Sequence, residues 1–176
     1  MAEQSTTVDR IMQSKFWNLL LFVQRKVLLA TSLIMIGILV GVVVMRYVLH
    51  ADFFGYDELA LVDSFWMYFI GASYAMYQKS HVKADIFANL FHKTGQLRLR
   101  IVSGFMQIAL QLVFDVLAFN MIMRSLTTWP TTSSWRIPFI FPQLSIFIGF
   151  LLMTFYLVVY TWKDIDTYRS MRGAAV

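Results

Sequence analysis

The sequence contains no cysteine and few charged residues, which make up only 14% of its 176 residues. The missing cysteines exclude disulfides and thiolate metal sites. Soluble domains usually carry about 25% charged residues, so this low share argues against a water-soluble fold. Hydrophobic residues make up 59% of the chain, and the few charges stand between long apolar runs. The composition therefore predicts an integral membrane protein.

Four apolar runs are each long enough to cross a bilayer. A helix needs about 20 residues to cross roughly 30 Å of hydrocarbon, and backbone polar groups in lipid must be paired within it. Two of the runs hold a single acid each, Asp63 and Asp115. We predict an all-α fold in one membrane domain, residues 1–176, whose transmembrane helices cover about 27–45, 59–77, 101–123 and 139–162.

Lys and Arg are distributed unevenly between the two sides of this domain. Twelve of the fifteen lie in the terminal segments or between the second and third spans. The other three, Arg46, Arg124 and Arg136, lie on the opposite side. Because basic residues are retained in the cytoplasm, we predict that both termini are cytoplasmic. The candidates for contacts with lipid headgroups are Lys79, Lys83, Arg98 and Arg100.

Two segments beside the spans have apolar residues on one helical face. In the segment 11–25 the side chains on such a face include Phe16, Leu19 and Val23. This segment either forms an interfacial helix in the headgroup layer, which we favour, or extends the first span. Residues 82–92 have a similar pattern and are predicted to form a short amphipathic helix on the inner membrane surface.

Polar and small residues in the second and third spans predict contacts with protein rather than lipid. Polar side chains within a membrane hydrogen-bond to other helices, and small residues four apart allow close helix approach. The third span has polar residues at four-residue intervals, which we place on one side of the helix. The predicted subunit interface consists of Trp66, Gly71, Ala75, Ser103, Gln107, Gln111 and Asp115.

Asp115 is the acid that lies deepest in a predicted span, and it allows two interpretations. A carboxylate at the bilayer centre costs about 2.5–3.5 kcal/mol on insertion scales, so such acids often mark proton or ion pathways. The other interpretation is an interhelical hydrogen-bond cluster. Two glutamines and no second acid or base on this face favour the cluster.

No arrangement typical of an enzyme is visible in the sequence. His50, His81 and His92 lie outside the predicted spans, whereas a membrane haem needs axial histidines within the helices. No group of His, Asp and Glu has metal-ligand spacing. We therefore predict no enzymatic activity, no cofactor and no metal. The basic charge is explained by lipid headgroups, so no nucleic-acid partner is expected.

Several motifs are spaced along the first half of the chain. An Arg-Tyr pair at 46–47 ends the first span, and an acidic pair ends at Glu58. Trp66 follows eight residues later, and a Gly-Ala pair at 71–72 begins five residues after that. Together these spacings resemble the small membrane subunit of tripartite ATP-independent periplasmic (TRAP) transporters.

Further motifs carry the same resemblance, with two departures. The run His-Val-Lys-Ala-Asp at 81–85 is similar to an H-I-x-V-D element of the family. Arg-Ile-Pro at 136–138 and Phe-Ile-Gly at 147–149 are also similar to family positions. Leu61 stands where the family usually has a basic residue, and Phe147 stands where it has a proline. The bend or beginning of the fourth span is therefore expected to differ.

The resemblance implies a three-part importer in the cytoplasmic (inner) membrane of a bacterium or archaeon. A soluble periplasmic protein captures an organic anion, often a sialic acid or C4-dicarboxylate. A large permease subunit then carries it by a sodium-coupled, elevator-like motion. The small subunit binds the large one and extends its fixed scaffold, so this chain is expected to hold neither substrate nor sodium.

Asp57, Glu58 and Arg136 are expected to help receive the periplasmic protein, because they lie in the predicted outer loops. The acids at 57 and 58 also have a simpler interpretation, since carboxylates interact favourably with the N-terminus of a helix.

Two other functions remain open from the residues alone. A membrane anchor that binds quinone for a respiratory enzyme predicts a redox partner and a characteristic absorption spectrum. A self-sufficient, homo-oligomeric exporter predicts that the chain transports solute without companions. It would need an essential acid near mid-membrane, and Asp115 is the candidate.

Overall fold

A computed structural model describes residue 12, residues 14–78 and residues 93–173, apart from the side chains of residues 93, 94, 172 and 173. Each of its four long helices contains a stretch long and apolar enough to cross a membrane. The predicted all-α fold with four transmembrane helices is confirmed. The helices are α1 (Lys15–Tyr47), α2 (Tyr56–Tyr77), α3 (Lys93–Thr128) and α4 (Ile140–Gly173).

Side-chain contacts establish the relative directions of the helices. Gln24, near the beginning of α1, donates a hydrogen bond to Ser73, near the end of α2. Gly104, near the beginning of α3, lies against Thr161, near the end of α4. The chain therefore forms two antiparallel helix pairs. Tyr160, near the end of α4, donates to the carbonyl of Tyr77 at the end of α2, so α2 and α4 run in the same direction.

The two ends of the helix array differ in character. The loop end carries the connecting segments 48–55 and 129–139. At the basic end α1 and α3 begin, and α2 and α4 finish. This end carries Lys15, Arg25, Lys26, Arg98, Arg100 and Lys163.

The helices stand in an open row in the order α1, α2, α4, α3. Cα atoms come within 8 Å between these neighbours, and between no other pair of the described helices. Within the most apolar 18 residues of each helix, 39% of the residues are buried in α4 and only 6% in α1. The edge helices therefore present most of their apolar side chains outward, as Leu33 and Leu117 do.

Gly149 allows α2 and α4 to approach closely at the centre of the row. A Cβ atom at this position would lie 2.7 Å from Cβ of Phe69 and 2.9 Å from its carbonyl oxygen. The ring of Phe69 packs edge-on against Phe150, with 5.3 Å between the centroids. No side chain fits between these two helices at this level.

Residues 15–25 form the first turns of α1 and continue into the span without a break. The helix begins after Ser14, whose hydroxyl accepts a hydrogen bond from the N–H of Trp17 at 3.2 Å. This continuity agrees with the second interpretation of residues 11–25, extension of the first span. At 33 residues α1 is about 50 Å long, so it is tilted or projects beyond the hydrocarbon.

Candidate functional site

Glu58 joins the two connecting segments at the loop end. It lies in the first turn of α2 with its side chain buried, and it reaches the segment that precedes α4. Its Oε1 accepts a hydrogen bond from the N–H of Ser134 at 2.6 Å, and its Oε2 accepts one from Trp135 at 2.8 Å. Such bonds to a carboxylate are roughly twice as strong as neutral ones. Glu58 therefore holds the segment 129–139, whereas its neighbour Asp57 is exposed.

Gly55 allows the indole of Trp135 to close over the beginning of α2. The indole N–H donates to the carbonyl of Phe54 at 3.0 Å. Gly55 has φ of 75°, and a Cβ there would overlap the indole ring of Trp135. Both the backbone conformation and the available space therefore require glycine at this position.

The segment 129–139 presents Arg136 from a backbone that is fixed on both sides. Thr132 and Ile137 pair through a backbone hydrogen bond of 3.0 Å and a side-chain bond of 2.9 Å. Arg136 itself has φ of 52°, in the left-handed region that costs non-glycine residues about 1–2 kcal/mol. Its side chain is exposed. The loop end therefore displays Asp57 and Arg136 on a surface whose backbone is held by hydrogen bonds.

A buried polar cluster joins three helices at the basic end, and the sequence interpretation missed it. Gln24 donates to the hydroxyl of Ser73 at 2.9 Å and accepts from the hydroxyl of Tyr156 at 2.8 Å. The exposed fraction is 2% for Gln24 and 0% for the other two, so these bonds are shielded from water. The cluster ties α1 to both α2 and α4.

Aromatic side chains enclose this cluster. Trp17 packs edge-on against Tyr156 at 5.3 Å between centroids and also contacts Tyr77 and Phe155. The exposed fraction of Trp17 is 2%. Phe16 and Leu19, which we placed on the apolar face of this segment, are 63% and 60% exposed. The face of this segment that contacts protein is therefore the one that carries Trp17, which the pattern did not indicate.

The four polar residues of α3 do not share one environment. Asp115 accepts a hydrogen bond from the hydroxyl of Thr154 at 2.6 Å, and the Gln111 amide donates to the carbonyl of Phe150 at 3.4 Å. Ser103 is half-buried and donates to the carbonyl of Arg100 in its own helix. The remaining member, Gln107, is exposed.

Helical geometry explains this difference. A helix turns by about 100° per residue, so each four-residue step overshoots a full turn by about 40°. The stripe from Ser103 to Asp115 therefore winds about 120° around α3. The buried positions of α3 instead alternate steps of four and three, as in Ala118, Ile122 and Ser125. The bond to Thr154 supports the interpretation of Asp115 as part of an interhelical hydrogen-bond cluster.

The remaining interface candidates lie along α2. Trp66, Gly71 and Ala75 are all half-buried in this chain. A Cβ on Gly71 would lie 3.6 Å from Cδ2 of Leu28, so this glycine faces α1. The small-residue pair therefore serves at least one contact within the chain.

The headgroup candidates are only partly described. Arg98 donates from Nε to the hydroxyl of Tyr168 at 3.1 Å, so it links α3 to the end of α4. Arg100 is exposed at the basic end. Lys79, Lys83 and the predicted helix at 82–92 lie outside the described residues.

The family model "Tripartite ATP-independent periplasmic transporters, DctQ component" matches residues 35–167, from the middle of α1 to the last turns of α4. The chain belongs to the DctQ family. A search of the curated proteins found none that matches it.

Membership of the DctQ family confirms the resemblance found in the sequence. The chain is a component of a TRAP transporter, and its four spans make it a multi-pass membrane protein. Neither a respiratory anchor nor a self-sufficient exporter is favoured by this assignment. The clusters around Glu58, Gln24 and Asp115 join parts of the DctQ subunit to one another.

Proposed function

We propose that this DctQ subunit is the immobile scaffold of its transporter and binds the large permease subunit directly. The open row of four helices is the observation that carries the proposal. Interaxial distances of 8–10 Å give a row at most about 25–30 Å wide between its outer axes, since side chains of α1 also reach α4 at the basic end. An elevator needs a part that resists movement through the bilayer, and a row has a wider footprint than a closed bundle of the same helices.

In the proposed transport reaction the other two proteins handle the substrate. The periplasmic protein delivers an organic anion of the sialic acid or C4-dicarboxylate class, and the large subunit carries it with sodium. The DctQ subunit itself binds neither the organic anion nor sodium. It lies in the inner membrane with the basic end cytoplasmic, because most Lys and Arg residues are at that end.

This orientation has a direct test, since the chain has no cysteine of its own. The exposed Ser133 and Ser170 lie at opposite ends of the row. In intact spheroplasts an impermeant thiol reagent is expected to label Ser133→Cys and to leave Ser170→Cys unlabelled. The reverse pattern would contradict the proposed orientation.

Gln107 is the residue with which we expect α3 to contact the large subunit. Its amide is exposed about six residues, or roughly 9 Å, inside the predicted span, where lipid offers no hydrogen-bond partner. Gln111 and Asp115 already have partners on α4. The surface of this chain that contacts the permease is also proposed to include the half-buried Trp66, Ala75 and Ser103.

Copurification with a tagged large subunit tests this contact. Gln107→Leu is expected to reduce the retained fraction about threefold, since one interhelical hydrogen bond contributes about 0.6 kcal/mol. Asn120→Leu is the matched control, because Asn120 is an exposed amide nearly opposite on α3 and close to the span boundary. Unchanged retention of Gln107→Leu would remove Gln107 from the interface, and a large subunit that never retains the wild-type chain would refute the scaffold role.

The loop end is proposed to receive the periplasmic binding protein through Asp57 and Arg136. Glu58 contributes by holding the segment that carries Arg136. The double reversal Asp57→Lys with Arg136→Glu is expected to slow uptake about fivefold at low salt and less at high salt. Asp52→Lys, an exposed change in the other connecting segment, is the control. Equal uptake by both variants would exclude this contact.

A further inference from the structure

A cleft opens at the basic end between α1, α2 and α4. Its volume is about 590 Å³, which is large enough for a polar headgroup. One guanidinium group and three phenol side chains give it a mixed cationic and aromatic wall. The lining residues are Met12, Arg25, Tyr74, Tyr77, Gln78 and Tyr160.

Arg25 is held in a defined position on one wall. Its Nε donates to the hydroxyl of Tyr74 at 2.7 Å, and its guanidinium carbon lies 5.6 Å from the centroid of the same ring. The terminal amino groups have no hydrogen-bond partner among the described residues. A guanidinium fixed through Nε presents its two terminal nitrogens as a fork, and this geometry matches two oxygens of one phosphate.

The cleft lies at the depth of phospholipid headgroups. Arg25 comes two residues before the first apolar run, Tyr77 is the last residue of α2, and Tyr160 is close to the end of the fourth predicted span. Tyrosine is enriched at membrane–water interfaces, and basic pockets between transmembrane helices bind lipid headgroups. The cleft therefore lies at the level where the phosphate groups of a phospholipid leaflet are found.

We propose that this cleft binds the phosphate of a membrane phospholipid, with Arg25 as the phosphate ligand and Tyr74 as the residue that positions it. The bound lipid fills the space between α1 and α4 at the basic end. The proposal concerns this chain's own surface and does not depend on the scaffold role, so either can fail without the other.

Native mass spectrometry of the full-length chain, together with any subunits that copurify, tests the proposal. The delipidated protein is titrated with phosphatidylethanolamine, phosphatidylglycerol, diacylglycerol and glycerol 3-phosphate. Both phospholipids are expected to bind at least tenfold more tightly than diacylglycerol, which lacks phosphate. They are also expected to bind more tightly than glycerol 3-phosphate, which lacks acyl chains.

Substitutions assign the binding to the cleft. Arg25→Ala is expected to weaken phospholipid binding about tenfold, the loss of one charge-assisted contact. Tyr74→Phe, which removes the positioning hydroxyl, is expected to weaken it about threefold. Lys26→Ala is the control, because Lys26 is the adjacent cation but packs 5.4 Å from the ring of Phe22 and does not line the cleft.

Three results would overturn the proposal. Diacylglycerol could bind as tightly as the phospholipids, or glycerol 3-phosphate could do so. The third result is that Arg25→Ala and Lys26→Ala weaken phospholipid binding equally. Circular dichroism and thermal unfolding verify that each variant is folded. If Arg25→Ala does not fold, Arg25→Lys replaces it, since lysine keeps the charge but not the fork and is expected to weaken binding about threefold.

Discussion

Helix α2 makes two very different contacts, one with α4 and one with α1. Towards α4 the helices are so close at Gly149 that an added Cβ would lie 2.7 Å from Cβ of Phe69. Towards α1 a Cβ on Gly71 would find ordinary van der Waals contact with Leu28 at 3.6 Å. The α2–α4 pair is therefore the closely packed centre of the row. Helix α1 is attached more loosely, and chiefly at the basic end.

The largest effect is expected from Gly149→Ala, which tests the central contact. The new Cβ would collide with Phe69, including its carbonyl oxygen, and backbone atoms cannot move aside as a flexible side chain can. Overpacking costs about 1–3 kcal/mol, and a collision with backbone belongs at the upper end, so it outweighs the roughly 1 kcal/mol helix preference for alanine by about 2 kcal/mol. We expect a loss of about 2 kcal/mol in the free energy of unfolding in micelles. A variant as stable as wild type would show that the two helices can separate without cost.

A smaller effect is expected from Gln24→Leu, which tests the attachment of α1. The substitution leaves the buried hydroxyls of Ser73 and Tyr156 without their amide partner. We expect the free energy of unfolding to fall by about 1–2 kcal/mol. Gln107→Leu, an exposed change of the same kind on α3, is expected to stay within about 0.5 kcal/mol of wild type. Equal values for the two variants would mean that the cluster does not hold α1.

The smallest effect is expected from Gly71→Ala, the counterpart of the first substitution. The new methyl group meets only Cδ2 of Leu28 at 3.6 Å, so no atom has to move. Alanine is favoured over glycine in a helix by about 1 kcal/mol. We therefore expect stability between unchanged and about 1 kcal/mol above wild type, measured under the same conditions as Gly149→Ala. A clear loss of stability would show that α1 packs as tightly as α4.

The four helices could be predicted from the sequence because a helix that crosses the hydrocarbon core must contain a long apolar run. The helix ends were less readable. Helix α3 begins at Lys93 and α4 continues to Gly173, well beyond the predicted spans 101–123 and 139–162. Those extensions carry charged residues, and hydropathy detects only the part of a helix that lipid surrounds.

The order of the row and the contacts at its basic end were not readable. In a membrane helix the lipid-facing and protein-facing sides are both apolar, so periodicity does not reveal which neighbour a face contacts. Gln24 lies in a segment that we placed in the headgroup layer, where an amide needs no protein partner. The role of Glu58 depends on backbone N–H groups 76 and 77 residues away in sequence, which no local pattern indicates.

The order of the row also bears on how the protein is made. Of the four described helices ribosomes produce α4 last, yet α4 stands between α2 and α3 and packs against both. Until it enters the bilayer, α3 has no neighbour among the described helices, and the carboxylate of Glu58 has no segment to hold. The contacts that join the α1–α2 pair to α3 therefore form only after α4 has been made and has inserted between α2 and α3.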